Sequence, residues 1–163
     1  MVGPGRDGTP SGVGWPTQAP GSIGDMGKVT HVSIDEMDSI EGFFERVTMH
    51  KAAAGLGVSA FGISIVDLDP GADEYPEHDH SEDGIGGKMF AKRPQQLGQE
   101  EVYIALRGSG TVEAGGEEYE IDAEHIVRVD PDVKRKITPG PDGLRLLALG
   151  GTPGEAYDAG GTL

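Results

Sequence analysis

Tyr75-Pro76-Glu77-His78-Asp79-His80 and, twenty residues further on, Glu101-Val102-Tyr103-Ile104-Ala105-Leu106-Arg107-Gly108 are the stretches that decide how this 163-residue chain folds. Side chains two apart on a strand point to the same face, so His78 and His80 can enter one interior with their imidazoles adjacent. Two neighbouring imidazoles are half of a metal site. Spacing alone is weak evidence, because Asp73, Glu74, Glu77, Asp79, Glu82 and Asp83 surround the pair and would equally suit an exposed acidic loop. The second stretch is a strand by composition. With Glu101 facing inward, Tyr103, Ala105 and Arg107 share its face, while Val102, Ile104 and Leu106 pack between the sheets, or the reverse at a bulge.

On either side of these stretches the chain reads as short strands parted by turn residues, the pattern of an all-β barrel or sandwich. Strands are expected over Phe43 to Met49 and Val58 to Leu68, with a helical turn over Lys51 to Leu56 between them. Asp69-Pro70-Gly71 is a turn signal. Gly108 to Val112 continues the Glu101 strand, and Ala114-Gly115-Gly116-Glu117 reads as a tight hairpin. Further strands follow over Glu118 to Ile121, His125 to Val129, Lys134 to Thr138 and Leu144 to Leu149. No internal repeat is found.

The order of a turn glycine (Gly71), the pair His78 and His80, then Glu101 with Gly108 seven residues on, resembles the first motif of the cupin superfamily. The resemblance covers roughly Val58 to Leu149. It implies an all-β, single-domain cupin jelly-roll β-barrel, here spanning residues 28–157, and a homodimer. It also implies that His78, His80 and Glu101 are metal ligands.

Three departures qualify the resemblance. Six residues separate Gly71 from His78, one more than the motif's usual spacing. Residues 84–97 read as an insertion where the family has only a short connection. A loop at that position is expected near the barrel mouth, and it carries Lys88, Lys92 and Arg93 with no acidic residue, either to attract an anionic ligand or as a solvated surface loop. In the second motif, aligning Asp130-Pro131-Asp132-Val133-Lys134-Arg135 puts Arg135 where the family has its fourth ligand, a histidine. Glu124 and Asp132 stand where glycines are expected, and His125 falls at the wrong end of its strand to substitute.

A two-histidine, one-carboxylate set accepts Fe, Mn, Ni, Co or Zn as a divalent ion. Neutral imidazoles and one carboxylate leave such an ion with positive charge, which favours a small organic anion as ligand. An inward Arg135 opposes the metal by about 4 kcal/mol at 4 Å and an effective dielectric of 20. Without a metal, Arg135 is the natural fork for a carboxylate or phosphate. Tyr103 is a second ligand-binding candidate or a packing residue. His31 and His50 read as surface residues, His50 being the better outsider to complete a metal shell. Two readings follow: a metal-dependent oxygenase or isomerase, or a metal-free cupin that binds or senses a small molecule through Arg135.

Composition bounds these readings. With 28 acidic against 13 basic residues the chain carries a formal charge of −15, which opposes nucleic acid and anionic membrane surfaces as partners. The absence of cysteine removes disulfides, thiolate metal sites and cysteine nucleophiles. No apolar run is long enough for a membrane span and no secretory leader is legible, so a cytoplasmic location is expected. Residues 1–27 hold eight glycines and four prolines without apolar period and are expected to form a disordered tail. Residues 158–163 are expected to be a flexible C-terminus.

Overall fold

The computed structural model describes residues 29–40, 44–81 and 98–154. The expected tail 1–27, the insertion 84–97 with Lys88, Lys92 and Arg93, and the C-terminal residues 158–163 lie outside the described residues. A 3₁₀ turn at Ile34–Glu36 precedes β1 (Ser39–Ile40), β2 (Val47–His50), the single helix turn α1 (Ala52–Leu56) and β3 (Gly62–Leu68). Then come β4 (Glu100–Ala114), β5 (Glu117–Ile121), β6 (Val127–Val129) and β7 (Arg135–Gly151). Among the described residues no helix is long and apolar enough to cross a membrane.

All pairings are antiparallel, in the order β1-β2-β3-β7-β4-β5, with β6 joined to β4. Two strands organise the fold. β4 is 15 residues, running through residue 108 as expected, and β7 is 17, so the separate strands expected on either side of residues 139–143 are continuous. The C-terminal half of β7 pairs with both β3 and the start of β4, and its N-terminal half pairs with the end of β4 and bridges His78. A corner divides the halves. Gly108 and Gly143 both have left-handed φ, at 75° and 77°, and a Cβ on Gly108 would lie 2.1 Å from the Gly143 carbonyl oxygen. Only glycine fits a strand crossing that is both left-handed and this close.

Alternation explains which side chains reach the core. Val66 and Leu68 of β3, Tyr103 and Ala105 of β4, Ile137 of β7 and Leu144, Leu146 and Ala148 further along it point inward and form one cluster with Val47, Val112 and Ile121. The opposite face carries a second apolar array, Ile63 beside Leu149 beside Val102, and Ile65 beside Leu147 beside Ile104. Val102, Ile104 and Leu106 therefore face away from the core, and Leu106 is 45% exposed. The expected inward Arg107 is corrected for the same local reason. A bulge between Ala105 and Arg107 adds one residue to β4 and brings Arg107 opposite Arg145, so it is exposed on the outer side.

Candidate metal and anion site

The histidine segment is extended but is not a strand in the ladder. Its one isolated bridge joins His78 to Arg135 at the start of β7, with the two residues exchanging backbone hydrogen bonds of 3.0 and 2.9 Å. Directly opposed residues of an antiparallel pair share a face, so this bridge sets the Arg135 side chain beside His78. His80 is held by its own backbone, whose N–H donates to the Pro131 carbonyl at 2.8 Å while its carbonyl accepts from Gly98 at 2.7 Å. Asp79, between the two histidines, turns its carboxylate the other way onto Ser81, accepting from the backbone N–H at 3.1 Å and the hydroxyl at 2.6 Å.

Each expected ligand arrives at one place. Donor atoms of His78, His80 and Glu101 lie within 4.8 Å of one another, and the two imidazoles meet edge to face with centroids 5.4 Å apart. The His78 Nδ1 contacts the Pro76 carbonyl oxygen at 3.0 Å. A carbonyl only accepts, so Nδ1 carries the proton and Nε2 carries the lone pair, the tautomer a metal-binding histidine needs. Burial, with further pressure from the Arg135 charge, holds the His78 pKa below its usual value, which keeps the ring neutral.

Glu101 is the hub. Its Oε2 accepts from the Tyr103 hydroxyl, lies 3.2 Å from His80 Nε2 and lies 3.3 Å from Arg135 Nη2. Burial works to raise its pKa, but His80, Tyr103 and Arg135 together overcome that and hold it down at about 2, so the carboxylate is ionised. Arg135 has no solvent-exposed surface. Two more of its donors are used inside the protein, Nε on the Tyr103 hydroxyl oxygen at 3.0 Å and Nη1 on the Val133 carbonyl at 2.9 Å. Tyr103, 1% exposed, thus links acid and guanidinium, and burial keeps its phenol protonated by raising its pKa.

The structure corrects the reading of His50 as a surface residue. It is 9% exposed, and its Nε2 lies 2.9 Å from Asp67 Oδ2. His50 pairs with Ile65 of β3, whose neighbours Val66 and Leu68 face the core, so His50 belongs to the outer face and cannot join the interior ligands. His125 is exposed and contacts Asp122 at 2.8 Å, away from the site, and His31 is exposed. Tyr75 and Pro76 were not singled out in the sequence. Tyr75 is buried with its ring edge-on to His78 at 5.5 Å, and Pro76 supplies the orienting carbonyl. Their only signal was adjacency to the histidine pair.

An open groove of about 460 Å³ is walled by Ala114, Tyr119, Val127, Arg128, Val129, Asp130 and Val133 among others, and none of the cluster side chains lines it. Val129 is the cross-strand partner of Glu101 and Val127 that of Tyr103.

No family model matches the chain, and no curated protein does. Solved structures match in fold. A cupin protein from Bacteroides fragilis is 22% identical, with TM-score 0.57, over 85% of this chain and 93% of that one. A sugar phosphate isomerase of the cupin superfamily from Silicibacter pomeroyi is 15% identical, with TM-score 0.55, over 74% of each chain. A predicted oxalate decarboxylase from Thermotoga maritima is 19% identical, with TM-score 0.54, over 76% of this chain and 99% of that one.

Proposed function

Because the chain has the cupin fold, with its histidine pair and glutamate brought together inside it, we propose that it binds a divalent transition metal through His78, His80 and Glu101 and a small organic anion beside it. The observation that carries this reading is the convergence of donor atoms of His78, His80 and Glu101 within 4.8 Å of one another, with His78 oriented by the Pro76 carbonyl and Glu101 ionised. Two nitrogens and one oxygen suit Fe, Mn, Co, Ni or Zn, and leave coordination positions for a ligand. When bound, such an ion supplies Lewis acidity or oxygen activation, the chemistry of an isomerase or oxygenase. The protein's own residues do the rest. Tyr103 and Arg135 fix the Glu101 carboxylate through its Oε2.

Elemental analysis of protein purified without chelator, or reconstituted with each metal in turn, tests this. Stoichiometric transition metal is expected in the wild type and in His50→Ala, and background levels in His78→Ala. Background levels in every reconstituted wild-type sample would sink the metal reading. The contact of Arg135 with Glu101 favours the second reading in that event, a metal-free binding cupin whose carboxylate is neutralised internally.

A further inference from the structure

Position 135 changes the charge of the site as well as its donor count. A neutral donor there would give a bound divalent ion four protein ligands and, with Glu101, a net charge of +1. Arg135 removes that donor and adds a positive charge, so the ion, Glu101 and Arg135 sum to +2 with one more coordination position open. Asp79 offsets this only through space, because its carboxylate is turned onto Ser81, which with a smaller pull from the Arg135 charge holds its pKa down. Nor can the arginine withdraw: its side chain is wholly buried, and its backbone is tied to His78 by two hydrogen bonds. Among the described residues no second carboxylate joins the ligand cluster, so an incoming anion at the open positions supplies balancing charge. The converse holds for the anion alone. Without a metal, Arg135 and Glu101 cancel, and the guanidinium already serves Tyr103 and the Val133 carbonyl, so an anion meets no unbalanced charge.

Resting on the metal reading above, we infer that Arg135 couples the metal and a small chelating dianion, each binding more tightly in the presence of the other than alone. The class of ligand follows from the charge of +2 and the adjacent open positions: a compact dicarboxylate or related dianion. Such coupling is reciprocal, so each partner tightens the other by the same factor.

Titration of the full chain with Mn²⁺, read from the free-ion electron paramagnetic resonance signal, tests the inference with malonate as the dianion and its own Mn²⁺ binding subtracted. The Mn²⁺ Kd should fall about tenfold or more in saturating malonate. Arg135→Met should bind Mn²⁺ alone more tightly than wild type and show coupling below about twofold, whereas Arg135→Lys, which keeps the charge, should retain it. An unchanged Mn²⁺ Kd with malonate, or full coupling in Arg135→Met, overturns the inference while leaving the metal site standing. If Arg135→Met does not fold, malonamide decides in wild type. As the neutral isostere it should produce no coupling, and coupling equal to that of malonate refutes the charge argument. Failure to bind Mn²⁺ in either condition strikes instead at the metal reading itself.

Discussion

The interior cluster and the outer face of the same sheet each combine a histidine, a carboxylate and an arginine, and they use them differently. On the outer face Arg145 grips both oxygens of Asp67, Nε to Oδ1 at 2.6 Å and Nη2 to Oδ2 at 2.7 Å, and also reaches Asp35 at 2.7 Å. His50 completes the set at 2.9 Å from Oδ2. The carboxylate is saturated on both oxygens by a bidentate fork, which ties β2, β3, β7 and the segment before β1 together. Inside the barrel, Arg135, Tyr103 and His80 all converge on one oxygen of Glu101, and Oε1 takes none of these contacts. A saturated carboxylate is a brace, whereas a carboxylate with an oxygen in reserve and two imidazoles beside it retains ligand capacity. The outer set shows what the same residue types look like when they serve stability alone. Even its one orphan, the buried Nδ1 of His50, is a cost of about 1–3 kcal/mol rather than a donor aimed at a cavity.

Removing each arginine should separate the two clusters most strongly. Arg135→Met leaves an ionised carboxylate buried beside the vacancy and should cost about 3–5 kcal/mol by urea denaturation, while Arg145→Met, in a partly solvated pair, should cost about 2. An equal or reversed order would mean that the interior is wetter than its burial indicates. Acid sharpens the contrast next. The folded pKa of Glu101 is about 2, below its ordinary 4.5, so its stabilisation is fully present above pH about 4.5 and is lost as pH falls towards 2. A difference of this size corresponds to about 3 kcal/mol across that window, and Glu101→Gln should flatten the stability curve there. If Asp67→Asn flattens it as much, the outer carboxylate is as perturbed as the inner one.

Tyr103→Phe should cost about 1–2 kcal/mol, since it removes a hydrogen bond to Glu101 and one from Arg135 in the interior, whereas Tyr119→Phe should leave the unfolding midpoint unchanged. The smallest effect belongs to His125. Exposed and paired only with Asp122, it should shift stability by less than about 0.5 kcal/mol on replacement by alanine.

How much of this was legible in the sequence depends on whether the signal was local. Strand alternation and turn glycines placed β3, β5 and the β4–β5 hairpin, because those depend on neighbours along the chain. The continuation of β4 past Gly108 was legible, but the joining of two segments into the single long strand β7 was not, since its corner depends on Gly108 meeting Gly143 from a distant part of the chain. The face of Arg107 turned on a one-residue bulge, which alternation leaves open but cannot place. For the site, His78, His80 and Glu101 were readable from spacing and resemblance. The use of Arg135 was not, because its three acceptors come from Glu101, Tyr103 and its own approach at Val133, and only the folded pairing with His78 sets them around it.

The double ladder of β7 bears on how the chain leaves the ribosome. β3 has β2 on one side, but its other edge waits for residues 144–150, and β4 likewise waits for β7 along nearly its whole length. At about 5–20 residues per second, the nascent β3 stands with an open, apolar edge for of order ten seconds before its partner is made. An exposed edge of this kind is a template for pairing with another chain. Truncated products ending before Arg135 should therefore be chaperone-bound or insoluble rather than partly folded, and slow translation through residues 115–134 should lower soluble yield more than the same delay placed after Gly151.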